Sequence, residues 1–457
     1  MATDAPAVGG GPDVTAAPTR TLIVGAGARE HALAWKLAGE PGVEEVVVAP
    51  GSAAIAAEPR VRCLPDVDPL DPGAVIEAAR LVAADLVVIG PEAPLAAGVV
   101  DALRSAGIRV FGPTRAAARI ETSKAFCHDV ADAAGVRMAR ARSFAEGEDE
   151  AARAFVAELG SAGRGVVLKQ DGLAAGKGVA VHDDAALAAE HVDAYLTGRG
   201  AEPALIVEER LFGREASVIA ICDGRDAIAL PASRDHKRLC DGDEGPNTGG
   251  MGAYSPLPDL GEDAVARIIE TVHRPILAEL ARRGTPFIGF LYAGLILTDD
   301  GPVLLECNAR LGDPEAQVIL PRLNEALGPV LAAAADRALA GMPASLQALP
   351  GAAVGIVLAS QGYPGTPKRG LPIDGLDAAA ATGALIFHGG SIGRPGGGYG
   401  TSGGRVLTVV GRGPDLASAR AAAEPAADHI SWEGMQRRRD IAASLPPNAA
   451  VLVGAAS

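Results

Sequence analysis

Lysine is scarce in this chain: only six of its 41 basic residues are lysine, at positions 36, 124, 169, 177, 237 and 368. In so arginine-rich a composition, a lysine marks a place where a compact ammonium is needed and a planar guanidinium would not fit. Cysteine is scarce too. Cys63, Cys127, Cys222, Cys240 and Cys307 are odd in number and contain no CxxC pair. That excludes a disulfide framework and a cysteine zinc site, and it fits reduced thiols in the cytoplasm. The eight histidines lack HExxH spacing, so a histidine metal site is not expected either. No uninterrupted apolar run reaches the roughly 18 residues that a membrane span requires. Residues 1–19 are rich in Ala, Gly and Pro and have neither a basic n-region nor an apolar h-region. They read as a disordered extension and not as a signal peptide. Finally, positive charge is outweighed. A net charge of −15 excludes any general affinity for nucleic acid or an anionic membrane, so an anionic substrate must meet cations gathered locally.

What is present suffices to bury large cores. At 457 residues, 48% hydrophobic and 21% charged, the chain has the length of roughly three ordinary domains. Residues 20–122 alternate strands (21–24, 45–48, 86–89, 110–111) with helices (30–37, 75–83, 99–106). This alternation predicts a doubly wound α/β domain, a parallel sheet with helices on both faces. Residues 123–345 mix helical stretches with strands at 166–169, 205–208, 217–222 and 290–297, which predicts an α+β unit on antiparallel sheet. Residues 346–457 carry strands at 354–359 and 406–410 around a Gly/Pro-rich stretch at 389–404, a small third α+β unit.

The most telling stretch is 303–317. Its apolar start reads as a buried strand, ended by a turn at Gly312, Asp313 and Pro314. Residues two apart share a face, so Glu306 and Asn308 stand side by side, Cys307 points away and Arg310 returns to their side. Hard oxygen ligands beside a cation suit Mg²⁺ on phosphates, with waters and a nucleotide completing the octahedron. The alternative is a solvated strand end.

Other motifs have the same two-sided character. Gly25-Ala26-Gly27 opens a helix, but Glu30 stands at the third glycine of a dinucleotide fingerprint and Ala49-Pro50 offers no ribose carboxylate. What remains is a phosphate loop at a helix N-terminus, helped by Arg29, or a plain tight turn. The stretch from Val167 to Gly178 is not a Walker A loop, because three residues separate Gly172 from Gly176 and Gly178 replaces the Ser/Thr. It sets Lys169 at a strand end and Lys177 in a glycine-rich loop that either folds over a triphosphate or is a flexible hairpin. After the strand at 205–208, main-chain groups of Glu208 and Leu211 could meet adenine and Glu215 a ribose hydroxyl, unless this is an ordinary acidic hinge. Asp235-His236-Lys237-Arg238 gathers cations. Gly245-Pro-Asn-Thr-Gly-Gly-Met-Gly-Ala-Tyr254 is too poor in apolar residues for a core element and is either a solvated loop or a close approach to substrate.

Taken in order, Arg-Glu-His-Ala (29–32), Gly-Pro-Glu-Ala-Pro-Leu (90–95), Ser-Lys-Ala-Phe (123–126), Asp-Gly-Leu-Ala-Ala-Gly-Lys-Gly (171–178), Asp-His-Lys-Arg (235–238), the run 245–254 and Arg-Leu-Gly-Asp-Pro-Glu (310–315) closely resemble the phosphoribosylamine–glycine ligase family of the ATP-grasp superfamily. The resemblance spans about residues 20 to 445. It implies an N-terminal substrate domain (20–122), a central ATP-grasp unit (123–345) with a mobile subdomain at about 143–214, and a C-terminal domain (346–457). It implies ATP contacts at Lys124, Lys169, Lys177, Glu208, Leu211 and Glu215, and Mg²⁺ or Mn²⁺ on Glu306 and Asn308. Departures from the family pattern fall at Ala26, Ala28, Gln170, Leu311 and Ser402, and none removes a charge or a ligand.

The implied reaction joins glycine to 5-phosphoribosylamine through a glycyl phosphate, in purine biosynthesis. It needs no side-chain nucleophile, only positioning and charge stabilisation, for which Lys169 and Arg310 are the candidates, with Asp313 for the glycine ammonium. Substrate contacts are expected at Gly25, Gly27, Arg29, Glu30, Pro91, Glu92, Asp235, Lys237, Arg310 and Asp313. Arg29 and the helix start would take the 5-phosphate, and Glu92 the ribose hydroxyls. The expected protein is a cytoplasmic monomer acting on small molecules. Two rivals are an ATP-grasp ligase for another substrate pair and a non-catalytic nucleotide-binding scaffold.

Overall fold

The computed structural model describes residues 17–161, 163, 165–172, 178–197 and 204–443. The first unit is the expected doubly wound sheet. Five parallel strands lie in the order Val61–Cys63, Glu45–Pro50, Arg20–Gly25, Leu86–Ile89, Val110–Phe111. Leu22, Ile23 and Val24 are fully buried, because helices cover both faces of a parallel sheet and its inner strands are apolar throughout. The strand order reverses beside Arg20–Gly25. The loops leaving it and Leu86–Ile89 therefore flank a crevice at the carboxyl edge of the sheet. Of the expected 1–19 extension, residues 1–16 lie outside the described residues. Thr19 belongs to the fold, since its N and Oγ1 donate to Asp85 Oδ2 at 2.8 and 2.9 Å.

The central unit is built on two antiparallel sheets. One runs Ala227–Ala229, Arg214–Asp223, Ile288–Thr298, Gly301–Asn308. The other runs Ala141–Phe144, Leu205–Glu209, Val166–Gln170, Val179–His182 and is backed by helices Asp149–Gly160 and Ala185–Leu196. Phe144, Val156, Leu168, Val192 and Val207 close a core inside this second sheet, separate from the rest of the apolar interior. A unit with its own core can move as a body. It runs from Ala141 to Glu209, and Arg214 already belongs to the first sheet.

Residue 346 does not separate two hydrogen-bonded bodies. Arg234–Asp235, Gly252–Ser255, Ala352–Ala359, Arg405–Gly413 and Leu385–His388 form one antiparallel sheet, joining strands from both sides of it. At Gly252 a Cβ would lie 2.7 Å from the Gly355 carbonyl and 2.8 Å from Ile441, so glycine lets the strands meet. Here the reading of 245–254 as unfit for a core is corrected. Met251 is buried just before strand Gly252–Ser255, and Ala253 and Tyr254 are buried within it, in a strand paired on both sides. The 389–404 stretch likewise carries strands Ser391–Gly393 and Tyr399–Thr401. Helix Leu416–His429 covers the shared sheet. No helix among the described residues is long and apolar enough to cross a membrane.

Candidate active site

Strand Gly301–Asn308 pairs with Ile288–Thr298, placing Asn308 opposite Tyr292 and Glu306 opposite Gly294. Strand alternation puts Glu306 and Asn308 on one face, with Asn308 Nδ2 3.5 Å from Glu306 Oε1. Cys307 is buried among apolar side chains in the opposite layer. Burial alone would push the Glu306 carboxyl up, but Lys237, Lys169, Lys124 and Arg310 outweigh it and hold it below the usual carboxylate range. Three of the chain's six lysines therefore surround this one carboxylate.

Each lysine arrives from a different element. Lys169, in strand Val166–Gln170, is buried. Its Nζ lies 2.7 Å from Glu208 Oε2 and donates to the Leu305 carbonyl at 3.2 Å. Burial opposes its charge, and Glu208 more than restores it, raising the ammonium above its ordinary range. Glu208 also meets His128 Nε2 at 2.8 Å. Its side chain is thus fully engaged, and its backbone lies in a strand paired on both sides. Glu208 is the penultimate residue of its strand, and the chain leaves the sheet directly after Glu209, toward Leu211. Lys124 opens helix Lys124–Ala133 and donates to the Gly172 carbonyl at 3.0 Å. Burial lowers its ammonium despite Glu306 and Asp171. Lys237 lies 3.1 Å from Asp235 and 3.8 Å from Glu215. Burial, and also Asp235 and Glu306, push the Glu215 carboxyl up against the pull of Lys237. Lys177 lies outside the described residues.

Around the N-terminal loop, several expectations change. Glu30 folds under the loop, accepts from Gly27 N at 2.7 Å and meets Arg29 Nε at 2.6 Å. Its carboxylate explains three glycines, because a Cβ on Gly25, Gly27 or Gly90 would lie 2.6, 2.8 or 2.3 Å from Glu30. Pro91 packs against Gly25 in the same way, 2.9 Å from a Cβ there. Arg29 is buried and donates to the Leu311 carbonyl at 3.1 Å, so it braces the loop against the central unit and is not held out for a phosphate. Arg310 is likewise corrected. The strand ends at Asn308, so alternation does not carry on, and the guanidinium lies between Glu121 (2.9 Å) and Glu92 (3.3 Å). Glu121 also accepts from Ala309 N at 2.8 Å, fixing the chain where it leaves the strand.

Asp313 lies 3.2 Å from Arg405 and accepts from Gln317 at 2.8 Å. Burial would raise its carboxyl, and Arg405 and Arg29 bring it below the ordinary range. With Arg405 it borders a cavity of about 180 Å³, closed by Gly27 and Ala28 from the first domain and by Gly389 and Gly390 from the third. That is several times the ~30 Å³ share of a water. It is below the ~300 Å³ of ordinary ligand pockets, a half-open recess of the size of a small anionic group. Helix Ala28–Ala38 starts here, and its first-turn N–H groups have no intrahelical partner. Arg405 escaped the sequence reading, although it directly follows Ser402-Gly403-Gly404. Glu315 escaped it too, although it ends the 310–315 motif. Its Oε1 accepts from Ser217 Oγ at 3.1 Å, and Ser217 Oγ is 2.9 Å from Tyr292 OH. Burial and Asp235 push the Glu315 carboxyl up to about 7.

Two facing antiparallel sheet units, one with a separate core, direct lysines toward a single Glu–Asn face: this is an ATP-grasp enzyme, and the ATP-grasp domain model of phosphoribosylglycinamide synthetase matches residues 122–316. The N and C domain models of the same synthetase match 19–121 and 353–444. A phosphoribosylamine–glycine ligase of Leifsonia xyli is 47% identical over 430 residues, covering 93% of this chain and 99% of that one. The crystal structure of the Thermotoga maritima phosphoribosylamine–glycine ligase superposes with a TM-score of 0.77 at 34% identity, over 92% of this chain and all of the other. A Campylobacter jejuni biotin carboxylase, at 18% identity and TM-score 0.66 over 93% and 94% of the two chains, shares the fold alone. The chain belongs to the phosphoribosylamine–glycine ligase family, and is a carbon–nitrogen ligase of the ATP-grasp type.

Proposed function

We propose that the protein joins glycine to 5-phosphoribosylamine at the expense of ATP, giving glycinamide ribonucleotide, ADP and phosphate for purine synthesis. What carries the reading is the division of cations between two places. Three lysines surround Glu306, and Arg405 with a helix N-terminus borders a separate cavity. A ligase that activates a carboxylate with ATP and then receives a phosphorylated amine needs both. Glycine's carboxylate is a poor electrophile, so it takes the γ-phosphoryl group and becomes glycyl phosphate. The amine then attacks the carbonyl carbon, a C–N bond forms, and the C–O bond to phosphate breaks as the amine nitrogen gives up a proton.

In this reading Lys124 and Lys169 meet the transferring phosphoryl group, where preset charge costs no reorganisation. Lys177 would join them from the glycine-rich loop. Leu211 offers main-chain groups to adenine and Glu215 faces the ribose. Glu306 and Asn308 suit Mg²⁺ or Mn²⁺: two hard oxygen donors on one strand face leave room for waters and phosphates, and among the described residues no cluster of three or more His, Cys, Asp or Glu competes. When bound, the metal would offset the charge of the ATP phosphates. Lys237 meets the glycine carboxylate, and Asp235 and Glu315 are nearest for its ammonium, since Asp313 is taken by Arg405. The ribosyl phosphate enters at the helix start beside Arg405, with Gly25 and Gly27 shaping the loop and Arg310 held by Glu92 on the route between the two places. The enzyme acts on small molecules, in the cytoplasm, as a monomer. The test is ADP release with glycine, freshly made phosphoribosylamine, or both. Sustained release that requires both supports the reading, and release indifferent to either would overturn it.

A further inference from the structure

The Arg-Glu-His-Ala stretch contains one residue that neither the fold nor the reaction has used. His31 lies one turn into the helix that opens at the cavity and is buried. Its Nδ1 accepts the main-chain N–H of His388 at 2.9 Å, across 357 residues of sequence. Its Nε2 lies 3.1 Å from Glu58 Oε1. An accepting Nδ1 leaves the ring proton on Nε2, so one neutral tautomer satisfies both partners. The residue after His388 is Gly389. Gly389 N and Gly390 N donate to the carbonyls of Val406 and Arg405, both at 2.8 Å, so this segment and Arg405 shift together. Aromatic rings pack the junction: Phe387 meets His31 edge-on at 5.6 Å, Trp35 meets Phe387 at 5.9 Å, and His388 Nδ1 is bonded to Ser391 Oγ at 2.8 Å.

We propose that His31 is a positioning residue for the phosphorylated amine: by holding His388 it sets Gly389, Gly390 and Arg405 at the right distance from the start of helix Ala28–Ala38. The inference rests on reading that cavity as the ribosyl phosphate site. It assigns His31 no part in the ATP site, which the central unit supplies. Loss of the bond would let the third domain's edge drift from the helix start, and an anion held between them would lose its fit.

The test is steady-state kinetics on three full-length variants, with a thermal melt of each. His31→Leu keeps the bulk and removes both ring nitrogens. With the contacts to His388 N and Glu58 both lost, it is expected to raise the KM for phosphoribosylamine about tenfold or more, with the KM values for ATP and glycine unchanged. His31→Asn keeps an acceptor near Nδ1 and is expected to recover most of that affinity. Gly389→Ala leaves both imidazoles in place, yet its Cβ would lie 3.2 Å from the Arg405 carbonyl, 3.5 Å from Ala28 Cβ and 3.6 Å from Ala28 N, over the helix start. It is expected to weaken phosphoribosylamine binding alone. Should Gly389→Ala leave that KM unchanged, the cavity is not the phosphate site and the positioning role falls with it. If Gly389→Ala weakens binding but His31→Leu does not, the site stands and the role of His31 is overturned. The role is equally overturned if His31→Leu raises all three KM values together or if His31→Asn behaves like leucine.

Discussion

Glu306 and Cys307 are adjacent on one strand, yet one faces three lysines and the other an apolar layer. On the proposed metal assignment, removing the Glu306 carboxylate would leave the ion with one protein ligand and the lysines without their shared partner. Glu306→Ala is expected to lower kcat by about 10²–10³ or more, by analogy with losing a preset charge-stabilising group, and Asn308→Ala to lower it less. Cys307→Ala should cost only about 1 kcal/mol of stability with kcat intact. Full activity of Glu306→Ala at saturating Mg²⁺ would contradict the assignment. Glu315 supplies a pH test. Its carboxyl is raised from 4.5 to about 7, by burial first and then by Asp235. A raised folded pKa contributes stability that is fully present below about pH 4.5 and is lost as pH rises through about 7. Glu315→Gln removes that loss, so urea midpoints of wild type and variant should diverge between pH 5 and pH 8, with the variant falling less. Parallel midpoints would show that Glu315 is not the titrating group. Periodicity alone made Glu306, Asn308 and Cys307 legible. Arg29, Glu30 and Arg310 were not, because which partner a charged side chain chooses depends on contacts such as Leu311 and Glu121, far away in sequence.

Among the elements, helix Lys124–Ala133 ties the sheet with the separate core to the strand that carries Glu306. Asp171, just past strand Val166–Gln170, accepts from Ser123 Oγ at 3.0 Å and from Ala125 N at 3.3 Å, while Lys124 Nζ returns to the Gly172 carbonyl. A carboxylate at a helix N-terminus is worth roughly 1 kcal/mol, and here it also sets the base of the glycine-rich loop. Asp171→Ala should therefore raise the KM for ATP several-fold and leave that for phosphoribosylamine alone. A change confined to phosphoribosylamine would mean that the loop base does not serve the nucleotide. Four of the five parallel strands of the first domain were plain in the sequence because short apolar runs alternate with helical spacing, whereas the edge strand Val61–Cys63 was missed, being three residues long and only partly buried. The strand Gly252–Ser255 was hidden, since it is four residues long with a glycine and a serine at its ends, and what reveals it is its pairing with Ala352–Ala359.

For the whole molecule, that pairing makes the second and third units one folding body. Ending the chain at residue 345 would strip the partner from Gly252–Ser255 and leave an open apolar edge. Such a fragment should be insoluble or melt without cooperativity, and a sharp melt near that of the full chain would contradict the shared sheet. The arrangement also sets the cavity between the first and third domains while Lys124, Lys169 and Lys237 sit in the second, the division on which the proposed function rests. The central claim is that glycine is activated by ATP before the amine attacks, and an oxygen label follows it directly. With ¹⁸O in both carboxylate oxygens of glycine, the account predicts one labelled oxygen in the released phosphate and one in the amide product, read by ³¹P NMR and mass spectrometry. Phosphate released without label during turnover would contradict it.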